Sequence, residues 1–212
     1  MYFFDLDGTL LDSNGIWLDI DMEFLGRHGI TPVPADYTDY VTHHTFHDAA
    51  EYTKKYFQLS LTPDEIVAAW RDMARQAYAR QLELKPGARA FLERAGRAGR
   101  RCALLTSCMP NLCQAALDCH RLSPLLERVF TTVELGLEKR NPALYHQVAR
   151  LCGVKGEDCF LFDDSPVYCA AAREAGWQIC GVPDPVFADR ASELAALCGA
   201  NRFPFSFFQP LP

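Results

Sequence analysis

Two carboxylates, Asp5 and Asp7, stand two residues apart, directly after the apolar Phe3-Phe4 and directly before Gly8. On an extended strand, residues i and i+2 point the same way, so the pair would face one side at close range. Like charges held together repel unless a cation or a proton compensates them. The spacing therefore predicts either a metal site or proton chemistry. A second acidic pair, Asp163-Asp164, follows the apolar Phe160-Leu161-Phe162 and precedes Ser165-Pro166. Thr106 follows Cys102-Ala103-Leu104-Leu105, and Lys139 lies in the connection after Val129-Phe130-Thr131-Thr132. If these positions converge, four carboxylates, one hydroxyl and one ammonium share one crevice. An acid cluster of this kind is tolerable only with a hard cation, and its oxygen donors suit magnesium.

Convergence depends on the elements that carry these residues. Before about residue 85 the periodicity is helical: Ile16, Ile20 and Phe24 recur every four residues, joined by Trp17 and Leu25, and Gly29 ends the pattern. A second helix is expected from the capping-box pattern at Thr45-Phe46-His47-Asp48, and a third from Thr62-Pro63-Asp64-Glu65. Three helices thus follow a single strand. From residue 86 the chain alternates, with helices expected at 87–98, 111–120, 142–151 and 166–175 and strands at 102–106, 128–131, 159–163 and 178–182. Strands alternating with helices of this length imply a parallel sheet. The expected fold is α/β, a Rossmann-like doubly wound parallel sheet, with residues 1–13 and 85–212 forming the core domain and 14–84 a helical insertion. In such a sheet ligands bind beyond the carboxyl ends of the strands, where the acids, Thr106 and Lys139 fall.

Bulk composition narrows the function. The 212 residues carry a formal charge of −6, and the basic residues are scattered apart from Arg97, Arg100 and Arg101, a pattern unlike a nucleic-acid footprint. The amino terminus lacks a basic leader, and no run approaches 18 apolar residues, so a cytoplasmic protein without membrane partners is expected. The nine cysteines include no C-x-x-C pair and are odd in number, as reduced thiols used for core packing would be.

Taken in order, "DLDGTLLDS", "LLTS", "GLEKRNP" and "FLFDDSP" with "AAAREAGW" resemble the motifs of the haloacid dehalogenase superfamily over nearly the whole chain to about residue 184. The similarity is to its phosphatase branch with a helical cap, including β-phosphoglucomutase-like proteins. The resemblance implies that Asp5 is a nucleophile, Asp7 a general acid/base, Thr106 the second-motif hydroxyl and Lys139 the third-motif lysine. It implies a phosphate site around Leu6, Gly8, Thr106, Ser107 and Lys139, and Mg2+ held by Asp5, Asp7, Asp163 and Asp164. The chemistry agrees with those roles: a carboxylate that attacks phosphorus splits one displacement into two easier ones, and a second carboxylate can move the proton. Dehalogenation itself is disfavoured, because dehalogenases have no acid two residues after the nucleophile. The expected activity is hydrolysis of a small phosphorylated metabolite by a monomer or weak homodimer, with a sugar-phosphate mutase or a catalytically silent binding protein as alternatives. A mutase would carry a cap arginine for a second phosphate, and the corresponding stretch here reads His44-Thr45-Phe46-His47.

Substrate choice is expected to fall to the insertion, where His43, His44 and His47 are candidate contacts and Trp17 is a core residue or a stacking surface. Ser165 is expected to cap the helix that follows it. The terminal Asn201–Pro212 stretch holds four phenylalanines among prolines and cannot form a regular helix. Packing back on the parent domain is the expected fate of those rings, with an oligomer contact as the alternative.

Overall fold

The computed structural model describes residues 1–43, 46–199 and 202–212. The chain opens with β1 (Tyr2–Phe4) and then runs through α1 (Ile16–Arg27), α2 (Ala35–His43), α3 (Phe46–Phe57) and α4 (Pro63–Arg80). It continues through α5 (Ala88–Arg97), β2 (Cys102–Thr106), α6 (Pro110–Cys119), β3 (Arg128–Thr131), the one-turn α7 (Thr132–Leu135) and α8 (Pro142–Cys152). The last elements are β4 (Phe160–Asp163), α9 (Pro166–Glu174), β5 (Gln178–Gly181) and α10 (Ala191–Leu197). Contacts divide these residues into two compact units, one of Met1–Asn14 with Leu82–Pro212 and one of Gly15–Gln81.

The first unit is built on a five-stranded parallel sheet in the order β3-β2-β1-β4-β5. Parallel strands are covered on both faces, which is why β1, β2 and β4 read as continuous apolar runs rather than alternating ones. Phe4 stacks on Phe162 with ring centroids 4.5 Å apart, and Phe3 meets Trp177 at the same separation. Strand order reverses at β1, so the switch point lies where Asp5 emerges. The register pairs Phe4 with both Leu104 and Phe162, bringing the residue after β1 level with the ends of β2 and β4.

The terminal stretch packs back on this unit. Phe205 and Phe207 are buried against Phe91, and Phe205 also meets Phe162. The Arg94 guanidinium donates to the Phe207 and Gln209 carbonyls, and Tyr2 Oη donates to that of Pro212. Burying each ring stabilises by about 2 kcal/mol, enough to hold a segment with no helix of its own. Phe208 alone is left 71% exposed. Seven of the nine thiols are buried and none of the nine forms a disulfide, so the buried ones serve as small core residues.

The insertion contains a helix that sequence periodicity misses. Three helices are expected there, whereas α2 makes a fourth. Its anchor is not an aliphatic stripe but Tyr37, which is fully buried and whose hydroxyl donates to Asp21 Oδ1 at 3.0 Å and lies 2.8 Å from Thr53 Oγ1. A polar anchor leaves no 3.6-residue hydrophobic period to detect. The expected start of the next helix at Thr45 lies outside the described residues. At Thr62 the capping box is present in full, with Thr62 Oγ1 accepting from the Glu65 amide and Glu65 Oε2 accepting from the Thr62 amide. No helix among the described residues is long and apolar enough to cross a membrane.

Asp21 carries a cost. It is 6% exposed, and its Oδ2 has no hydrogen-bond partner among the described residues. Burial pushes its carboxyl from the ordinary 3.8 up to about 6, against the opposing Tyr37 hydrogen bond. Between those values the folded chain holds a proton that the unfolded chain has released, so stability falls as pH rises through this window. Asp21→Asn should remove that slope, leaving the variant about 2 kcal/mol better off relative to wild type at pH 7 than at pH 3.5. Urea melts of both proteins at the two pH values measure the difference; equal slopes would show that the buried carboxyl does not titrate with folding.

Candidate active site

Asp5 leaves the end of β1 with its amide donating to the Phe162 carbonyl at 2.9 Å, which fixes its backbone against β4. Asp163 and Asp164 close β4, and carboxylate oxygens of Asp5, Asp163 and Asp164 all lie within 4.8 Å of one another in a buried cluster. Into it projects Lys139, fully buried, with Nζ 2.5 Å from Asp163 Oδ2 and 2.9 Å from Asp5 Oδ1. Its backbone carbonyl accepts from the Tyr145 hydroxyl at 2.9 Å, and its ammonium sits 4.8 Å above the Tyr168 ring. Burial pushes Lys139 down, but the Asp163 and Asp5 carboxylates outweigh it and hold the ammonium well above its usual range.

The acids answer differently. Burial raises Asp163 to about 6 while Lys139 restrains it, and both of its oxygens are engaged, Oδ2 by Lys139 and Oδ1 by the Ser165 amide at 2.8 Å. Burial followed by the neighbouring Asp163 and Asp5 charges lifts Asp164 further, to about 8. Among the described residues one ammonium, paired with Asp5 and Asp163, serves three carboxyl groups, and Asp5 Oδ1 is buried with no hydrogen bond aligned to it. The cluster is short of positive charge, its donors are all oxygen, and a magnesium ion is the kind of cation that fits it.

Asp7, expected among the metal-holding acids, is not part of the three-carboxylate cluster. It is half-buried, and its Oδ1 accepts from the Ser13 hydroxyl at 2.6 Å. The Gly8 amide, at φ +71°, donates to Ser13 Oγ at 3.3 Å and is thus already occupied. Leu6 is fully buried, with its carbonyl accepting from the amides of Leu10 and Leu11. Thr106 is buried at the end of β2, its hydroxyl accepting from the Cys108 amide at 3.0 Å, and Ser107 beside it is exposed. Ser165 occupies the N-cap position of α9 without a side-chain cap bond; its contribution is the amide given to Asp163.

Sequence reading missed three supporting residues, Thr9, Ser13 and Asn14. Thr9 is fully buried with Oγ1 donating to Asp164 Oδ1, and Asn14 Nδ2 donates to Asp164 Oδ2. The available signal was the run of short polar side chains in the same loop as the acids. Of the insertion residues, Trp17 is 37% exposed and so does not serve as a core residue, and His47 lies 3.6 Å from Glu51 on the exposed side of α3. His43 ends α2, with its side chain outside the description, and His44 lies outside the described residues.

Residues 1–176 match the family of haloacid dehalogenase-like hydrolases, and the chain belongs to that family. Within it, the chain is a phosphoric monoester hydrolase. It is 31% identical over 187 residues to the GMP/IMP nucleotidase YrfG of Escherichia coli, covering 85% of this chain and 82% of that one. Hexitol phosphatase A of the same organism is 26% identical, with 91% and 87% covered. Among solved structures, a HAD family hydrolase from Deinococcus radiodurans with bound phosphate and sodium superposes with a TM-score of 0.70 at 24% identity, over 94% of this chain and 88% of the other.

Proposed function

We propose that this chain is a magnesium-dependent phosphatase of the cytoplasm that hydrolyses a small phosphorylated metabolite through an aspartyl-phosphate on Asp5. The observation that carries the reading is the buried triangle of Asp5, Lys139 and Asp163 beside Asp164, in which a carboxylate at a strand end is held next to a permanent ammonium. An oxygen of Asp5 attacks phosphorus, the bond from phosphorus to the ester oxygen breaks, and the proton of Asp7 goes to the departing alcohol. Water then attacks the same phosphorus, Asp7 takes its proton, and the bond to Asp5 breaks to release phosphate. Lys139 balances the negative charge of Asp5 as an anionic substrate approaches, and Thr106 holds phosphoryl oxygens. Asp5 and Asp164 would hold the magnesium ion, with Asp163 committed mainly to Lys139; the bound ion supplies charge stabilisation on the phosphoryl oxygens.

The relative named for GMP and IMP makes a purine nucleoside monophosphate the first substrate to try, followed by sugar and polyol phosphates. Metal dependence tests the reading directly. Chelation should cut turnover of a chromogenic phosphomonoester by at least about 100-fold, since a bound ion contributes several kcal/mol to such transition states. Magnesium should restore the activity and calcium should do so poorly, because its larger and looser coordination misplaces the nucleophile. Full activity in excess chelator would exclude the carboxylate cluster as a catalytic metal site.

A further inference from the structure

The two acids that close β4 are held in chemically different ways. Asp163 is gripped by an ammonium, which cancels its charge, whereas Asp164 is gripped by neutral donors, one on each oxygen. Thr9 Oγ1 donates to Oδ1 over 3.0 Å, and Asn14 Nδ2 donates to Oδ2 over 2.7 Å. A hydroxyl and an amide fix the plane of the Asp164 carboxyl and bring no positive charge of their own to compete with a cation. Both donors come from the segment that leaves β1, and the clasp depends on Gly8, which precedes both and lies against Asn14 and Asp164. A Cβ at Gly8 would fall 2.0 Å from Asn14 Nδ2 and 2.3 Å from Asp164 Oδ2, so any side chain there would push the amide off the carboxylate.

Asn14 also holds a special place along the chain. The segment before it is pinned to the returning chain: Leu11 bridges Leu84, the Asp12 amide donates to the Glu83 carbonyl at 2.9 Å, and the Lys85 amide donates to that of Leu10 at 2.8 Å. Lys85 is itself fixed through Nζ to Asp184 at 2.7 Å and to the Pro183 carbonyl at 2.9 Å. Asn14 is the last residue of the α/β unit, and Gly15, the first of the helical unit, has φ +99° with nothing within 4 Å of where a Cβ would stand. The glycine is there for its left-handed backbone rather than for space.

We infer that Asn14 is a positioning residue for the cation-holding Asp164, and that it ties occupancy of the metal site to the point where the chain leaves the α/β unit. The inference rests on the proposed reading of Asp164 as a metal ligand. Outer partners of this kind typically change metal affinity 10- to 100-fold when removed.

Isothermal titration of the metal-free protein with Mg2+ alone tests it. Asn14→Leu, which keeps the branched shape and loses the donor, should weaken Mg2+ binding by about 10- to 100-fold. Asn14→Ala, which adds no bulk, should weaken it to the same degree, and both variants should remain cooperatively folded in excess chelator. Wild-type affinity in either variant would overturn the assignment of Asn14 while leaving the metal site standing. Absence of Mg2+ binding by the wild-type chain would overturn the metal reading and this inference with it.

Discussion

Asp5→Asn should abolish turnover of every phosphomonoester, by at least about 10⁴-fold, while the protein remains folded. An amide oxygen is a poor nucleophile toward phosphorus, and no other carboxylate can take over. Asp163 is held between Lys139 and the Ser165 amide, and Asp164 between Thr9 and Asn14. The substitution changes no core volume. It also removes from the buried cluster a charge that pushes Asp163 and Asp164 up, which offsets the lost contact with Lys139, so in metal-free buffer the variant should melt close to wild type. Acid-quench trapping of labelled phosphate supplies the second readout: wild type should retain a transient acyl-phosphate, and Asp5→Asn none. Turnover within 100-fold of wild type by purified variant would remove Asp5 from the nucleophile's role, and a large fall in melting temperature would show that its charge is structural.

The residues that gather at the strand ends are legible in the sequence, and the arrangement that supports them is not. Asp5, Thr106, Asp163 and Asp164 stand at strand ends because apolar runs of three to five residues precede them, and a fully buried parallel strand can be read from such runs. Lys139 is legible from its motif, but its complete burial between two acids goes with Tyr145 and Tyr168, whose letters are silent about their packing. Thr9, Ser13 and Asn14 escaped notice because a short polar residue in a loop has many uses, and only the fold places two of them on Asp164 and one on Asp7. The helix α2 escaped for the opposite reason, since its buried contact is a tyrosine hydroxyl on a carboxylate and carries no hydrophobic period. Likewise the difference between Asp163 and Asp164 is invisible in the letters DD, where both read as acids and only the donors on each separate a lysine partner from the proposed cation ligand.

Asp7→Asn should divide substrates by the acidity of their leaving groups. Asp7 stands apart from the three-carboxylate cluster, half-buried, with one oxygen held by the Ser13 hydroxyl at 2.6 Å, so it can carry a proton without being part of the metal cradle. If it moves that proton, its loss slows two steps: departure of a poorly acidic alcohol, and attack of water on the aspartyl-phosphate. An activated aryl phosphate leaves with little protonation. With that substrate the variant should phosphorylate Asp5 in a burst of about one equivalent and then stall, whereas a sugar or nucleoside phosphate should lose about 10²- to 10⁴-fold in the first step itself. Rapid-quench measurement of aryl alcohol release, beside trapped phosphoenzyme, reads both steps in one experiment. The wild-type phosphoenzyme offered a sugar phosphate should pass its phosphoryl group to water faster than to the sugar, giving phosphate release in excess of isomer formation; the reverse ratio would make the chain a mutase. Equal losses on aryl and alkyl substrates, with no stalled phosphoenzyme, would show that Asp7 shapes the loop around Gly8 and Ser13 instead of carrying the proton. The burst is the decisive quantity, because a structural defect lowers both steps together while the loss of a proton carrier leaves the first step with an activated leaving group almost intact.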